Sequence, residues 1–144
     1  MKEFVWRLDH DRVEIPGSRL PAPVVTYLVA EGKWRLEADY EYRDDATAIT
    51  VPAGLLFDLS SVPRVFWPLI GPFELSIAAP LLHDFLYRHG GRLPDGSVSP
   101  PRTYTRAEVD RMFLTIMEAE AVPFWRRVPA YLAVRAFGRS AWRS

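Results

Sequence analysis

Residues 79–88 read APLLHDFLYR, and this stretch decides how the second half of the chain folds. Its apolar side chains recur at the spacing of a helix that buries one face. His83 and Tyr87 are four residues apart, so they lie one above the other on the same side, and Asp84 lies about 100° further round. The pattern predicts a helix that carries an imidazole, a carboxylate and a phenol beside its buried face.

Signals for both ends of this helix flank the stretch. Ser76 is a candidate N-cap, and Pro80 falls within the first turn, where proline is tolerated. Gly90 and Gly91 favour the end of the helix. A surface loop rich in Gly, Pro, Ser and Asp is then predicted over residues 89–103.

A second helix is predicted from Thr105 to about Ala121, because Thr105 and Glu108 form a capping box at its start. Asp110 falls inside the apolar stripe of this helix. A carboxylate among buried apolar side chains needs a specific hydrogen-bond donor. His83 on the preceding helix is the candidate donor.

A third helix is predicted over residues 129–137, with Gly138 as its end. The segment from Arg126 to Arg143 carries five arginines and no acidic residue. Three aromatic residues accompany this charge: Trp125, Tyr131 and Trp142. Such a face contacts lipid or a partner, or is simply solvated, and the solvated face is the commoner case.

The first part of the chain has the pattern of strands. Residues 24–30 are rich in β-branched side chains, and residues 34–42 alternate apolar with charged side chains, so the two are expected to pair as a hairpin. A further strand is predicted over residues 48–51. Shorter β-prone runs cover residues 4–8 and 13–15.

These patterns give an α+β fold with an N-terminal antiparallel sheet of hairpins and about three C-terminal helices. Residues 1–54 are expected to be mainly β, and residues 76–144 mainly α. Residues 55–75 are expected to be irregular, because their prolines forbid a long helix. With 144 residues and no internal repeat, a single domain over residues 1–144 is expected.

Composition limits the classes of function. The formal net charge is zero, with 18 basic and 18 acidic residues, so the chain has no bulk signature of nucleic-acid binding. The absence of cysteine excludes disulfides and thiolate metal sites. No signal-peptide pattern and no apolar run approaching the ~20 residues of a transmembrane segment are present. We expect a cytoplasmic protein, with a secreted or virion-packaged protein as the alternative.

The helix side chains support two interpretations. A hydrogen bond from His83 to Asp110 would fix the tautomer of the imidazole and leave its other nitrogen as a base. Tyr87 would then orient this dyad, and Asp84 would bind a metal or a substrate cation. In the structural alternative, His83 and Tyr87 serve packing, and Asp84 is solvated or pairs with Arg88 four residues on.

A second polar cluster lies in the proline-rich segment and consists of Asp58, Ser60, Ser61 and Arg64. Arg64 could clamp a carboxylate or phosphate, and Asp58 could ligate a metal. A turn closed by Asp58 and paired with Arg64 is the commoner arrangement. A Ser61–His83–Asp110 catalytic triad is disfavoured, because no Gly-x-Ser-x-Gly elbow surrounds the serine.

The motifs in residues 51–67, 82–87 and 107–113 together resemble the DUF1353 family, small proteins found widely in phages and prophages. Ser60 stands where the family usually has alanine. The family has no assigned function, so the resemblance implies a phage context and a phage structural or host protein as a candidate partner.

The pattern His83-Asp84-x-x-Tyr87, with Asp110 on a later antiparallel helix, also resembles the active site of phospholipase A2. The resemblance implies that His83 activates the attacking water and that Asp110 orients His83, with Tyr87 in support. It implies that Asp84 holds calcium or another divalent cation, for which Asp58 is a candidate second ligand.

The calcium-binding part of this resemblance is incomplete. Phospholipases A2 use a glycine-rich loop ahead of the histidine helix, whereas here only Gly54 and Gly71 are available. Two functions therefore stand as expectations. One is a hydrolase of esters or amides with a His-Asp dyad, and the other is a non-catalytic phage accessory, virion or host-interaction protein in which the same groups are structural.

Overall fold

The computed structural model describes residues 20–44, 46–57 and 78–143. The predicted strands at residues 4–8 and 13–15 lie outside the described residues. The predicted N-cap Ser76 lies outside them too, as does the polar cluster of Asp58, Ser60, Ser61 and Arg64. The described part of the chain confirms the α+β class, with antiparallel sheets in the N-terminal half followed by three α-helices.

The strands form two small antiparallel sheets. The first has the order β1-β2-β5 and consists of Val25–Leu28, Lys33–Leu36 and Leu56–Phe57. The second has the order β3-β4-β6 and consists of Tyr40–Arg43, Ala48–Val51 and Val98–Ser99. The predicted hairpin is thus β1 and β2, in which Val25 pairs with Leu36.

The prediction of one continuous strand over residues 34–42 is wrong, because two strands of different sheets form there. Leu36 ends β2, and Tyr40 begins β3. The carboxylate of Asp39 accepts a hydrogen bond from the backbone N–H of Ala53 at 2.8 Å, which fixes a corner between them. The alternation of apolar and charged side chains continues through the corner, so the sequence pattern does not reveal it.

The helices are α1 (Ala78–Arg88), α2 (Arg106–Ala119) and α3 (Phe124–Phe137), and a short 3-10 helix follows over Gly138–Ala141. The predicted capping box is confirmed. Thr105 Oγ1 accepts from the Glu108 backbone N–H at 3.1 Å, and the Glu108 carboxylate accepts from the Thr105 N–H at 2.9 Å. α1 packs against α2, and α2 packs against α3.

The predicted start of the third helix is wrong by five residues. The sequence pattern predicts a helix that runs roughly from Pro129 to Phe137. Instead α3 begins at Phe124 after Pro123, and Pro129 lies inside it. A proline there removes one backbone hydrogen bond and crowds the carbonyl four residues earlier, yet the helix continues through it and buries Ala130, Ala133 and Val134.

α1 is the central helix of the described fold. Every residue from Ala78 to Tyr87 is buried, so the helix is enclosed on all sides and not only on one face. It ends at Gly90 and Gly91, as predicted, and both have positive φ. A Cβ atom at Gly91 would clash with the backbone oxygen of Tyr104. Within the described residues, no helix is long and apolar enough to cross a membrane.

Candidate functional site

The candidate site is built around the carboxylate of Asp110, which is 0% exposed. Four side chains bond its two oxygens: His83 and Tyr87 contact Oδ1 at 2.8 and 2.6 Å, and Arg135 and Arg106 contact Oδ2 at 2.8 and 3.5 Å. These donors come from α1, α2 and α3. One carboxylate therefore ties all three helices together, and we call this set the Asp110 network.

The Asp110 network fixes the protonation of His83. Burial lowers the pKa of His83 more than the hydrogen bond and charge of Asp110 raise it. Burial alone would raise the pKa of Asp110, but the hydrogen bonds from His83 and Tyr87 and the charges around it hold that pKa below its ordinary value. A neutral imidazole thus faces an ionised carboxylate. Its proton lies on Nε2, and its basic lone pair lies on Nδ1.

Tyr87 is packed as tightly as His83. Its ring centroid lies 4.1 Å from that of His83, and its hydroxyl donates to Asp110. Burial is the largest of the causes that raise the pKa of Tyr87, so the phenol remains protonated. A Cβ atom at Gly138 would lie 2.7 Å from the Tyr87 hydroxyl oxygen. Gly138 therefore makes room for Tyr87, in addition to ending α3.

The two arginines connect the network to the end of α3. Arg106 Nη1 donates to the Val134 carbonyl at 3.1 Å, and its Nη2 donates to the Arg135 carbonyl at 3.3 Å. Cations are favourable at a helix C-terminus, where carbonyl groups lack partners within the helix. Arg106 and Arg135 therefore neutralise Asp110 and also fasten α3 to α2.

Asp84 lies on another side of α1 and belongs to a separate arrangement. Its Oδ2 lies 2.8 Å from Nη2 of Arg88, one turn along the same helix. Asp84, Tyr87 and Arg88 line a cleft of about 690 Å³, together with Lys33 and residues near the end of the chain. The Asp84–Arg88 ion pair is the contact that the structural interpretation of the sequence proposed.

A family model described as "Protein of unknown function (DUF1353)" matches residues 34–134, which include the whole Asp110 network except Arg135. This chain belongs to the DUF1353 family. A relative in Sinorhizobium fredii, "Uncharacterized protein y4jT", is 30% identical over 131 residues. The alignment covers 87% of this chain and 35% of that protein, so this chain spans about a third of its relative's length. No solved structure matches this chain.

The predicted site residues of this DUF1353 member fall into three groups. His83, Tyr87 and Asp110 are brought together, with the predicted His83–Asp110 contact present at 2.8 Å. Asp84 lies apart from them and contacts Arg88. The others, Asp58, Ser60, Ser61 and Arg64, lie outside the described residues, so their roles stay predictions.

The described residues do not by themselves fit a divalent cation. No group of three or more His, Cys, Asp or Glu side chains that could hold a metal occurs in the described part of the chain. Asp84 supplies one carboxylate, and Arg88 already contacts it. Ca²⁺ usually takes six or more oxygen ligands.

Three functional contacts were missed from the sequence. Arg106 lies four residues before Asp110 on one helix, a spacing that could have revealed it. Arg135 approaches from another helix, and no local signal marks it. Glu120, which is buried, accepts from the N–H groups of Ala78 and Ala79 at 3.1 Å and thereby caps α1 from a distant part of the chain.

The aromatic residues near the C-terminus have different environments. Trp142 packs edge-on against Tyr87, with ring centroids 5.1 Å apart. Trp125 is 62% exposed, and the large apolar side chains of Phe124, Leu132 and Phe137 are also more than half exposed. This helix therefore exposes apolar as well as charged side chains, and the choice between a solvated face and a contact with lipid or a partner stays a prediction.

Proposed function

We propose that this DUF1353 protein is a small phage-associated hydrolase of esters or amides in which His83 is the general base. The observation that carries the proposal is the 2.8 Å contact between His83 Nε2 and Asp110 Oδ1. A carboxylate on one imidazole nitrogen directs the basic lone pair to the other, which is the arrangement a general base requires. The phage association rests on the family resemblance alone.

The proposed reaction uses one water molecule and the carbonyl of the substrate. His83 Nδ1 removes a proton from the water as its oxygen bonds to the carbonyl carbon, and Asp110 stabilises the imidazolium that forms. As the bond from the carbonyl carbon to the leaving oxygen or nitrogen breaks, the imidazolium returns the proton to that leaving group. Tyr87 positions Asp110 and does not touch the reacting atoms.

Two features prepare His83 for this role. Its lowered pKa keeps the imidazole neutral near pH 7, so the base is available without a prior proton loss. The next residue, Asp84, and Tyr87 one turn on both line the open cleft, which places the buried imidazole one residue from that cleft in the chain.

A second candidate function is the non-catalytic accessory, virion or host-interaction protein. The observation that favours it is the burial of His83, whose side chain is only 2% exposed. In this alternative the Asp110 network serves stability alone. The exposed apolar side chains on α3 are then consistent with binding to another protein, since exposed apolar patches often mark such contacts.

Hydrolysis assays with a matched pair of variants test the proposal. Purified protein is incubated with phospholipid vesicles, peptidoglycan and a soluble p-nitrophenyl ester, with and without calcium. His83→Gln should lower kcat by about 100-fold or more, the range for loss of a general base. His89→Gln, a change of the half-buried histidine that follows α1, should stay within about twofold of the wild type.

The outcome separates the two candidates. Thermal melting of both variants is the control for folding. An unchanged melting temperature means that a loss of activity is due to the chemistry and not to unfolding. Turnover that is absent in the wild-type protein on all substrates, or equal in His83→Gln and the wild type, would contradict the hydrolase and favour the binding protein. If activity requires calcium in the wild type and this calcium dependence is lost in Asp84→Ala, the result would support Asp84 as a ligand of the predicted cation.

A further inference from the structure

The cleft beside Asp84 has an unbalanced charge among the lining residues that the structure describes. Among the described residues, its lining includes three cationic residues, Lys33, Arg88 and Arg143, and one carboxylate, that of Asp84. Ser140 adds a hydroxyl group. Two positive charges are therefore in excess within a volume of about 690 Å³, which is large enough for a small organic anion.

The cations come from three separate elements that meet at this cleft. Arg88 ends the buried helix α1, and its guanidinium contacts Asp84 at 2.8 Å. Lys33 begins strand β2. Arg143 follows the 3-10 helix, and its backbone N–H donates to the Tyr87 carbonyl at 3.1 Å, which ties this end of the chain to α1.

Asp84 holds Arg88 in place without using all of its donors. A guanidinium has five N–H donors in a fixed plane, and a single carboxylate engages at most two of them at once. The side chain of Arg88 is 38% exposed, so the remaining donors are accessible from the cleft. An oxyanion placed between Arg88 and Arg143 would meet directional donors as well as charge.

We propose that this cleft binds the oxyanion of the substrate, a phosphate or carboxylate group, through Lys33, Arg88 and Arg143. The inference rests on the proposed hydrolase function, because it names the substrate class as an ester or amide that carries a negative charge. Asp84 is then a positioning residue for Arg88. The link to the proposed base is that Asp84, which follows His83 in the chain, and Tyr87, one turn along the helix, both line this cleft.

Titration calorimetry at low ionic strength tests the cleft without any turnover. Inorganic phosphate and acetate are the probes, in a buffer of neither anion. Saturable binding to the wild-type protein is expected, with phosphate stronger if the cleft accepts a phosphate group and acetate stronger if it accepts a carboxylate. Arg143→Gln and Lys33→Gln should each weaken binding by about fivefold or more, and binding should weaken as salt is raised.

Arg139→Gln is the matched control, because Arg139 is exposed on the 3-10 helix just before Arg143 and does not line the cleft. Its binding should stay within about twofold of the wild type. If the wild-type protein binds neither anion, or if Arg139→Gln weakens binding as much as Arg143→Gln, the anion site is overturned. Melting curves of each variant show that the folds are intact.

The same variants separate this inference from the proposed function. His83→Gln should bind phosphate or acetate as the wild type does, because it leaves all three cations in place. If the protein binds the anion but hydrolyses none of the substrates, the anion site is supported and the hydrolase proposal is contradicted. If the wild type and the Lys33→Gln/Arg143→Gln double variant hydrolyse the substrate at the same rate, the hydrolase proposal is supported and the anion site is contradicted.

Discussion

Helix α1 contributes to two carboxylate-arginine arrangements that have opposite properties. On one side, His83 and Tyr87 reach Asp110, which is 0% exposed and bonded from three helices. On the other side, Asp84 contacts an arginine of its own helix that is 38% exposed beside an open cleft. The closed arrangement therefore fixes the positions of the three helices and of His83, whereas in the open arrangement N–H donors of Arg88 remain accessible to a ligand.

Replacement of Asp110 is the strongest way to test the closed side. Asp110→Ala leaves the buried His83 and Tyr87 and two partly exposed arginines without their shared acceptor, so we expect a loss of about 3–5 kcal/mol in the free energy of unfolding. Urea unfolding measures it. Glu118→Ala, which removes an exposed acid of the same helix at 3.8 Å from Arg127, should change the free energy by less than about 0.5 kcal/mol. Equal losses in the two variants would show that Asp110 is not the centre of the network.

Removal of one hydroxyl from the network should have a smaller effect. Tyr87→Phe retains the ring contact with His83 but removes a donor to a charged acceptor, which costs about 1.5–3 kcal/mol. Tyr27→Phe, at a half-buried position of β1, should cost less than about 0.5 kcal/mol in the same urea experiment. If Tyr87→Phe were neutral, the 2.6 Å contact would contribute nothing to stability, and Tyr87 would act through packing alone.

The closed side could largely be predicted from the sequence because its parts are local. The spacing of His83 and Tyr87 placed both on one face of α1, and the capping box fixed the phase of α2 and so the burial of Asp110. Arg135 could not be predicted, since its approach depends on how α3 packs. The predicted start of α3 was also wrong, because the helix begins at Phe124 and continues through Pro129.

The open side could not be predicted, because it is assembled from distant parts of the chain. Lys33 on β2 and Arg143 near the C-terminus are 110 positions apart in sequence, and no spacing rule links them. The corner between β2 and β3 was missed in the same way, because its cause is a contact between Asp39 and Ala53. Local periodicity gives the elements, whereas tertiary contacts decide which surfaces meet.

The central claim is that Asp110 holds His83 as a neutral base with its proton on Nε2, and ¹⁵N NMR of the histidine rings tests it most directly. We predict a protonated-type shift for Nε2 and an unprotonated-type shift for Nδ1 at pH 7. Because burial lowers the pKa of His83, this pattern should persist as pH falls below 6.5, the ordinary pKa of histidine. An imidazolium at pH 7, or a proton on Nδ1 with none on Nε2, would contradict the account.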